Sequence, residues 1–204
     1  MVFSSAIFLF AFFPAIFLLY HIVPGLKAKN AVLILASLVF YSFGQPKYLI
    51  LLFASVLINY AAGFILCGEG VYRKAALAAG IFLNIALLSV FKYLDFAVEN
   101  VNSVFGSSIA LPGIVLPIGI SFYTFQGMSY IIDVYRDRTM GTKNFAKLLL
   151  YISFFPQLIA GPIIKYHDIA EMIDSRSCSP EATAEGLRRF IIGLSKKLLL
   201  ANTA

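Results

Sequence analysis

A chain of 204 residues that is 60% hydrophobic and only 13% charged, with a mean hydropathy of +0.88, has too few polar side chains to coat a water-facing surface of its size, since soluble domains are roughly half apolar and about a quarter charged. The net charge of +6 could signal a nucleic-acid partner, but the basic residues fall in short clusters between apolar runs, as they do in the inner loops of membrane proteins. The composition therefore predicts an all-α, polytopic integral membrane protein whose partner is the lipid bilayer, with no nucleic acid bound and no soluble domain.

The first apolar run covers 3–23, and no Lys or Arg occurs before Lys27. With no positive leading region and an apolar stretch too long for a signal peptide, it reads as a retained membrane helix that starts outside. Further spans are expected at 31–43, 48–66, 75–91, 114–132 and 145–164, and an amphipathic helix from 180. Gly44, Gln45 and Pro46 read as a tight break between the second and third segments. Ser179, Pro180 and Glu181 read as a helix start: a capping hydroxyl, Pro at the first position and an acid in the first turn. Beyond it, Leu187, Ile191, Leu194 and Leu198 share one face and Arg189, Gly193, Lys196 and Lys197 another. The chain stops at Ala204 while an apolar helix is gathering, which reads as a fragment.

Loop charge sets an orientation. Lys27 and Lys29 follow the first segment, Arg73 and Lys74 with Glu69 the third, and Arg136, Arg138, Lys143 and Lys147 with Asp133 and Asp137 the fifth. Asp95 and Glu99 are expected in a loop after the fourth. With the N-terminus outside, the basic loops all fall inside. Pro156, Gly161 and Pro162 break the sixth segment, which either crosses the membrane or is re-entrant, because such breaks are tolerated where protein covers the backbone.

Polar side chains at membrane depth carry the chemistry. Gln126, Tyr130 and Asp133 fall at i, i+4 and i+7 of one helix, beside Ser121 and Thr124, and could line a substrate cavity. Ser55, Asn59 and Gly63, and Ser37, Tyr41 and Gly44, form similar stripes; with Asn84 these read as helix–helix glue. His21 reads as interfacial, and His167, within Lys165 to Asp168, as part of a solvated loop. Cys67 and Cys178 read as unpaired thiols, and no Cys/His spacing suits a metal. No phosphate-cradling Gly loop or nucleophile elbow is present.

Three stretches carry a resemblance. One runs from Leu116 through Pro117, Gly119, Tyr123 and Thr124 to Gln126, and on to Tyr130, Asp133 and Arg136. The second holds Phe155, Pro156, Gln157, Gly161 and Pro162. The third holds Gly186, Phe190, Gly193, Lys196 and Lys197. In this order they resemble the membrane-bound O-acyltransferase (MBOAT) family, in its alginate-acetylating branch near the D-alanyl transferases, as do the opening residues to Ser5 and the stretch from Tyr41 to Gly44.

The resemblance implies a ring of tilted helices, present here in part, in a multi-pass protein of the bacterial inner membrane. It implies transfer of an acyl group, expected to be acetyl, from a cytoplasmic thioester such as acetyl-CoA or an acyl carrier to hydroxyls of an exported polysaccharide such as alginate. Periplasmic acetylation partners are implied too, and no bound cofactor. Gln126, Tyr130, Asp133, Pro156, Gln157, Gly161 and Pro162 would shape the chamber and tunnel wall. The family's essential histidine lies downstream of the Gly186–Lys197 helix, beyond Ala204; neither His21 nor His167 matches it, so this segment alone is expected to be inactive. A reading from another class is a transporter or channel component with the polar stripe as its path, though no matching halves are visible.

Overall fold

The computed structural model describes residues 3, 5–43, 46–158, 164–177 and 179–201. All regular structure among them is helical: α1 (Phe13–Ile22), α2 (Leu26–Ser42), α3 (Leu49–Cys67), α4 (Tyr72–Phe105), α5 (Ile120–Arg136), α6 (Phe145–Ser153), α7 (Phe155–Leu158), α8 (Tyr166–Asp174) and α9 (Pro180–Lys196). A π-helical turn, Phe8–Phe12, leads into α1, and 3-10 turns sit at Pro46–Tyr48 and Arg138–Met140. The chain divides into two compact units, Met1–Val32 with Glu171–Ala204, and Leu33–Ala170.

Two stretches, Pro46–Cys67 and Tyr72–Phe105, are helices long and apolar enough to cross a bilayer. Most of the apolar window of α4 is uncovered by protein, and Phe82, Phe96, Val104 and Phe105 on it are exposed. A helix so apolar and so bare suits hydrocarbon and not water.

The second unit is built on α3, α4 and α5, and small residues let them touch. Gly63 of α3 lies against the Tyr130 ring of α5, where a Cβ would come within 2.6 Å of the ring carbon Cε1. Gly127 lies against the Asn59 amide. The pairs 59/127 and 63/130 run in the same direction, so α3 and α5 are parallel. Gly80 of α4 meets Ala62 and Ile131, and Asn59 meets Asn84, so α4 runs antiparallel to both. The two amides, both buried, exchange hydrogen bonds of 3.1 and 3.0 Å. The structure thus joins Asn84 and Asn59 as glue between helices, the role their residue type suggested.

Several helices differ from expectation. The helix expected at 75–91 spans 72–105, so Asp95 and Glu99 lie in α4 and not in a loop. At about 1.5 Å per residue, its 34 residues exceed the roughly 30 Å hydrocarbon core; Lys, Glu and Asn continue a helix into the polar zone at little propensity cost. Gly106, with φ of 61°, ends it in the left-handed conformation that a glycine adopts without strain. The helix expected from 31 starts at Leu26 and takes in Lys27 and Lys29, whose stems can snorkel. The helix expected from 114 starts at Ile120, because Pro117 and Gly119, at φ of 77°, hold the approach out of helix.

The stretch 145–164 is not one helix. Phe154, with ψ of 110°, turns α6 away before α7, and the chain from 164 leads into α8. The Phe155 N–H freed by this break donates to the Ser37 hydroxyl at 3.2 Å, and Ser37 in turn donates to the Leu33 carbonyl at 2.7 Å. A broken helix at membrane depth is stable when a neighbouring hydroxyl takes up the released backbone group. Gly44 and Gln45 of the expected 44–46 break lie outside the described residues.

In the first unit, Ser179 caps α9, its hydroxyl accepting from the Ala182 N–H at 3.1 Å, with Pro180 at the first position. Phe190 of α9 stacks on Phe13 of α1 at 4.8 Å. Arg176 donates to the Tyr20 hydroxyl and the Asn30 carbonyl oxygen, both at 2.7 Å. His21 stays on α1, bonded to the Phe17 carbonyl at 2.8 Å.

Candidate functional site

The helical period places Gln126, Tyr130 and Asp133 on successive turns of α5, and α7 and α8 cover that face. Gln126 is buried, and its amide donates to the Gln157 carbonyl oxygen on α7 at 3.3 Å. Its own carbonyl oxygen is buried with no hydrogen-bond partner. One turn on, Tyr130 is fully buried against Gly63, and its hydroxyl accepts from the Thr142 N–H at 3.2 Å. Its ring meets Tyr166 of α8 edge-on at 5.0 Å, and Tyr166 meets Tyr151 of α6 the same way at 5.2 Å. Edge-to-face rings at this separation attract through their quadrupoles.

At the last turn, one Asp133 carboxylate oxygen lies 3.6 Å from Nδ1 of His167, whose Nε2 lies 2.9 Å from Asp168. His167 therefore belongs to the first turn of α8, half-exposed between two carboxylates, and not to a solvated loop. Its spacing from Asp133 is set by the return of the chain after α7, which no local pattern reveals. Pro156 is exposed and Gln157 half-buried, both on α7. Gly161, Pro162 and Cys178 lie outside the described residues.

Above Gln126 sits a group that the sequence reading did not assemble. Tyr123 lies one turn before Gln126, and its buried hydroxyl faces the buried hydroxyl of Tyr41 on α2, neither bonding to any other group among the described residues. The hydroxyls of Ser55 and Thr124 are unpartnered and fully buried. A polar atom buried with no partner costs on the order of 1–3 kcal/mol. Three such atoms, on Ser55, Thr124 and Gln126, beside a tyrosine pair that meets only itself among the described residues, are better explained by a polar guest than by packing. Tyrosine and threonine hydroxyls donate and accept, and the Gln126 oxygen accepts, so the wall offers a hydroxyl-bearing guest a partner of either sense. Among the described residues, no three His, Cys, Asp or Glu side chains gather as metal ligands do.

Neither a protein-family model nor a solved structure matches the chain. Curated relatives do, over its whole length. It is 39% identical to the probable alginate O-acetylase AlgI of Pseudomonas aeruginosa, covering 40% of that protein. It is 38% identical to the probable alginate O-acetylase AlgI of Azotobacter vinelandii, covering 42%. It is 33% identical to the peptidoglycan O-acetyltransferase of Helicobacter pylori, covering 45%. The chain spans about two-fifths of the length of these relatives.

Proposed function

We propose that this chain, which is similar to these alginate and peptidoglycan O-acetyltransferases, is of MBOAT type and that the protein it represents O-acetylates an exported polysaccharide from within the bacterial inner membrane, crossing it several times. The acceptor is alginate or a polymer of similar hydroxyl chemistry, and the donor is an acetyl thioester on the cytoplasmic side. In the reaction a base takes the proton of the acceptor hydroxyl, whose oxygen attacks the thioester carbonyl carbon. The carbon–sulfur bond then breaks and the thiolate leaves, taking up a proton. The base is the histidine that the family pattern places downstream of the Gly186–Lys197 helix.

These residues supply the wall of the chamber. Gln126 with the Tyr123–Tyr41 hydroxyl pair orients the acceptor hydroxyl, and Pro156 and Gln157 belong to the broken helix opposite. Tyr130 fixes α5 against α3 and α8, and Asp133 ties the face to His167. The surrounding apolar helices exclude water, which would otherwise compete for the activated acyl group. The observation that carries this reading is the buried Gln126 carbonyl left without a hydrogen-bond partner among the described residues, on a side chain whose amide reaches the broken helix at Gln157.

The test is the ester-linked acetate on polymer exported by cells that carry the intact gene or a deletion of it. Loss of acetate on deletion, restored by the full-length protein, supports the function. Acetylated polymer from the deletion strain would refute it.

A further inference from the structure

At the opposite end of α3 and α5 from the hydroxyl group, the chain builds a basic cavity of about 320 Å³, lined by Gly70, Val71, Arg73, Lys74, Tyr135 and Arg138. Arg73 is held rigidly there. Its guanidinium donates to the Leu66 carbonyl of α3 at 3.1 Å and to the Tyr135 carbonyl of α5 at 2.8 Å, and it lies 5.2 Å from the Tyr135 ring centre. Because α3 and α5 are parallel, one cation closes both carbonyl ends, where helix dipoles favour positive charge.

Arg138 pairs at 2.8 Å with Glu69, whose own side chain is 90% exposed, and Lys74 forms no ion pair among the described residues. Three cations thus face one solvent-swept carboxylate. Val71, 92% exposed, lines the cavity, and Tyr72, next to it in the chain, is 79% exposed. A pair of bare apolar side chains beside a basic hollow has the layout of a membrane interface, with the pair at the acyl boundary and the charges at headgroup level.

We propose that this cavity holds the phosphate of an anionic phospholipid from the leaflet at the basic end of the helices. Arg73 and Arg138 present N–H groups to the phosphate oxygens and Lys74 adds a mobile charge. Val71 and Tyr72 lie along the first carbons of the acyl chains. A soluble phosphate ligand has no use for that apolar rim, which is why the lipid is the assigned source.

The test is native mass spectrometry of the full-length protein with equal amounts of phosphatidylglycerol and phosphatidylcholine. Wild-type protein is expected to retain phosphatidylglycerol preferentially. K74A/R138A is expected to lose roughly fivefold for each charge removed, or about twenty-five-fold together. K74R/R138K, which keeps the charge, is expected to retain it, and so is K147A, which removes a basic residue outside the cavity. Equal retention by K74A/R138A overturns the site. A matching loss in K147A overturns it in favour of diffuse surface charge. Displacement of the lipid by millimolar inorganic pyrophosphate reassigns the cavity to a soluble ligand and overturns the lipid reading.

Discussion

Asn59 and Asn84 hold α3 to α4 by a closed ring of amide hydrogen bonds. Each amide donates to the other's carbonyl, and each spare N–H returns to a backbone carbonyl one turn earlier on its own helix, Ser55 or Gly80, at 2.8 Å in both cases. Every N–H of the two side chains is satisfied, so removing one residue leaves the other with a donor and an acceptor unmet inside the bundle. N59A and N84A should each destabilise the protein by about 1–2 kcal/mol. The double variant should lose less than the sum, with a coupling of about 1 kcal/mol. Unfolding in mixed micelles, run as a double-mutant cycle, checks this; additive losses would exclude the ring.

Gly63 is the point at which α5 approaches α3 most closely through a ring. Gly63→Ala places a methyl within 2.6 Å of the Tyr130 Cε1 and hydroxyl, and should cost about 1–3 kcal/mol as overpacking. Shortening the opposing side chain in G63A/Y130L should recover part of that loss. The midpoint of thermal unfolding reads both, and a wild-type midpoint for G63A would show the contact to be loose.

Asp133 and His167 should behave as a unit in the full-length protein. D133N removes the charge 3.6 Å from the ring, and H167A removes the ring. Each is expected to lower thermal stability by about 1 kcal/mol, discounted because the imidazole is half-exposed, with the double variant no worse than the single ones. Independent losses in the double variant would separate the two residues.

The Arg138–Met140 turn should respond to acid. The Asp137 carboxylate accepts from the Thr139 N–H at 2.9 Å and its hydroxyl at 2.7 Å, and these bonds hold it below the ordinary 3.8. A carboxyl depressed in the folded state stabilises the turn above the ordinary value, and that support fades as pH falls through the folded value. Amide exchange at Thr139 should quicken relative to its intrinsic rate as pH drops below 3.8. D137N should show no such change.

How much of this was legible in sequence follows from the range of the interactions. The α5 face was visible because Gln126, Tyr130 and Asp133 repeat within one helix. The glue role of Asn59 and Asn84 was visible from residue type, but their pairing was not, being fixed by how α3 and α4 align. The end of α4 was misplaced because charges at Lys92, Asp95 and Glu99 stop an apolar run without stopping a helix. The break at Phe154 and the placing of His167 beside Asp133 depend on Ser37 catching the Phe155 N–H and on the return through α8. The cluster of Tyr41, Tyr123 and Gln126 needed α2 and α5 to be side by side.

The central claim is that the Gln126 face lines the chamber in which the acyl group is transferred. The most direct measurement is the acetate content of polymer made by the full-length Gln126→Leu variant, alongside its level in the membrane and its thermal midpoint. A leucine keeps the volume and removes both the carbonyl without a partner and the amide that reaches Gln157. Acetylation is expected to fall by about tenfold or more, as for the loss of one positioning hydrogen bond, with membrane level and midpoint near wild type. Acetylation at the wild-type level would contradict the account.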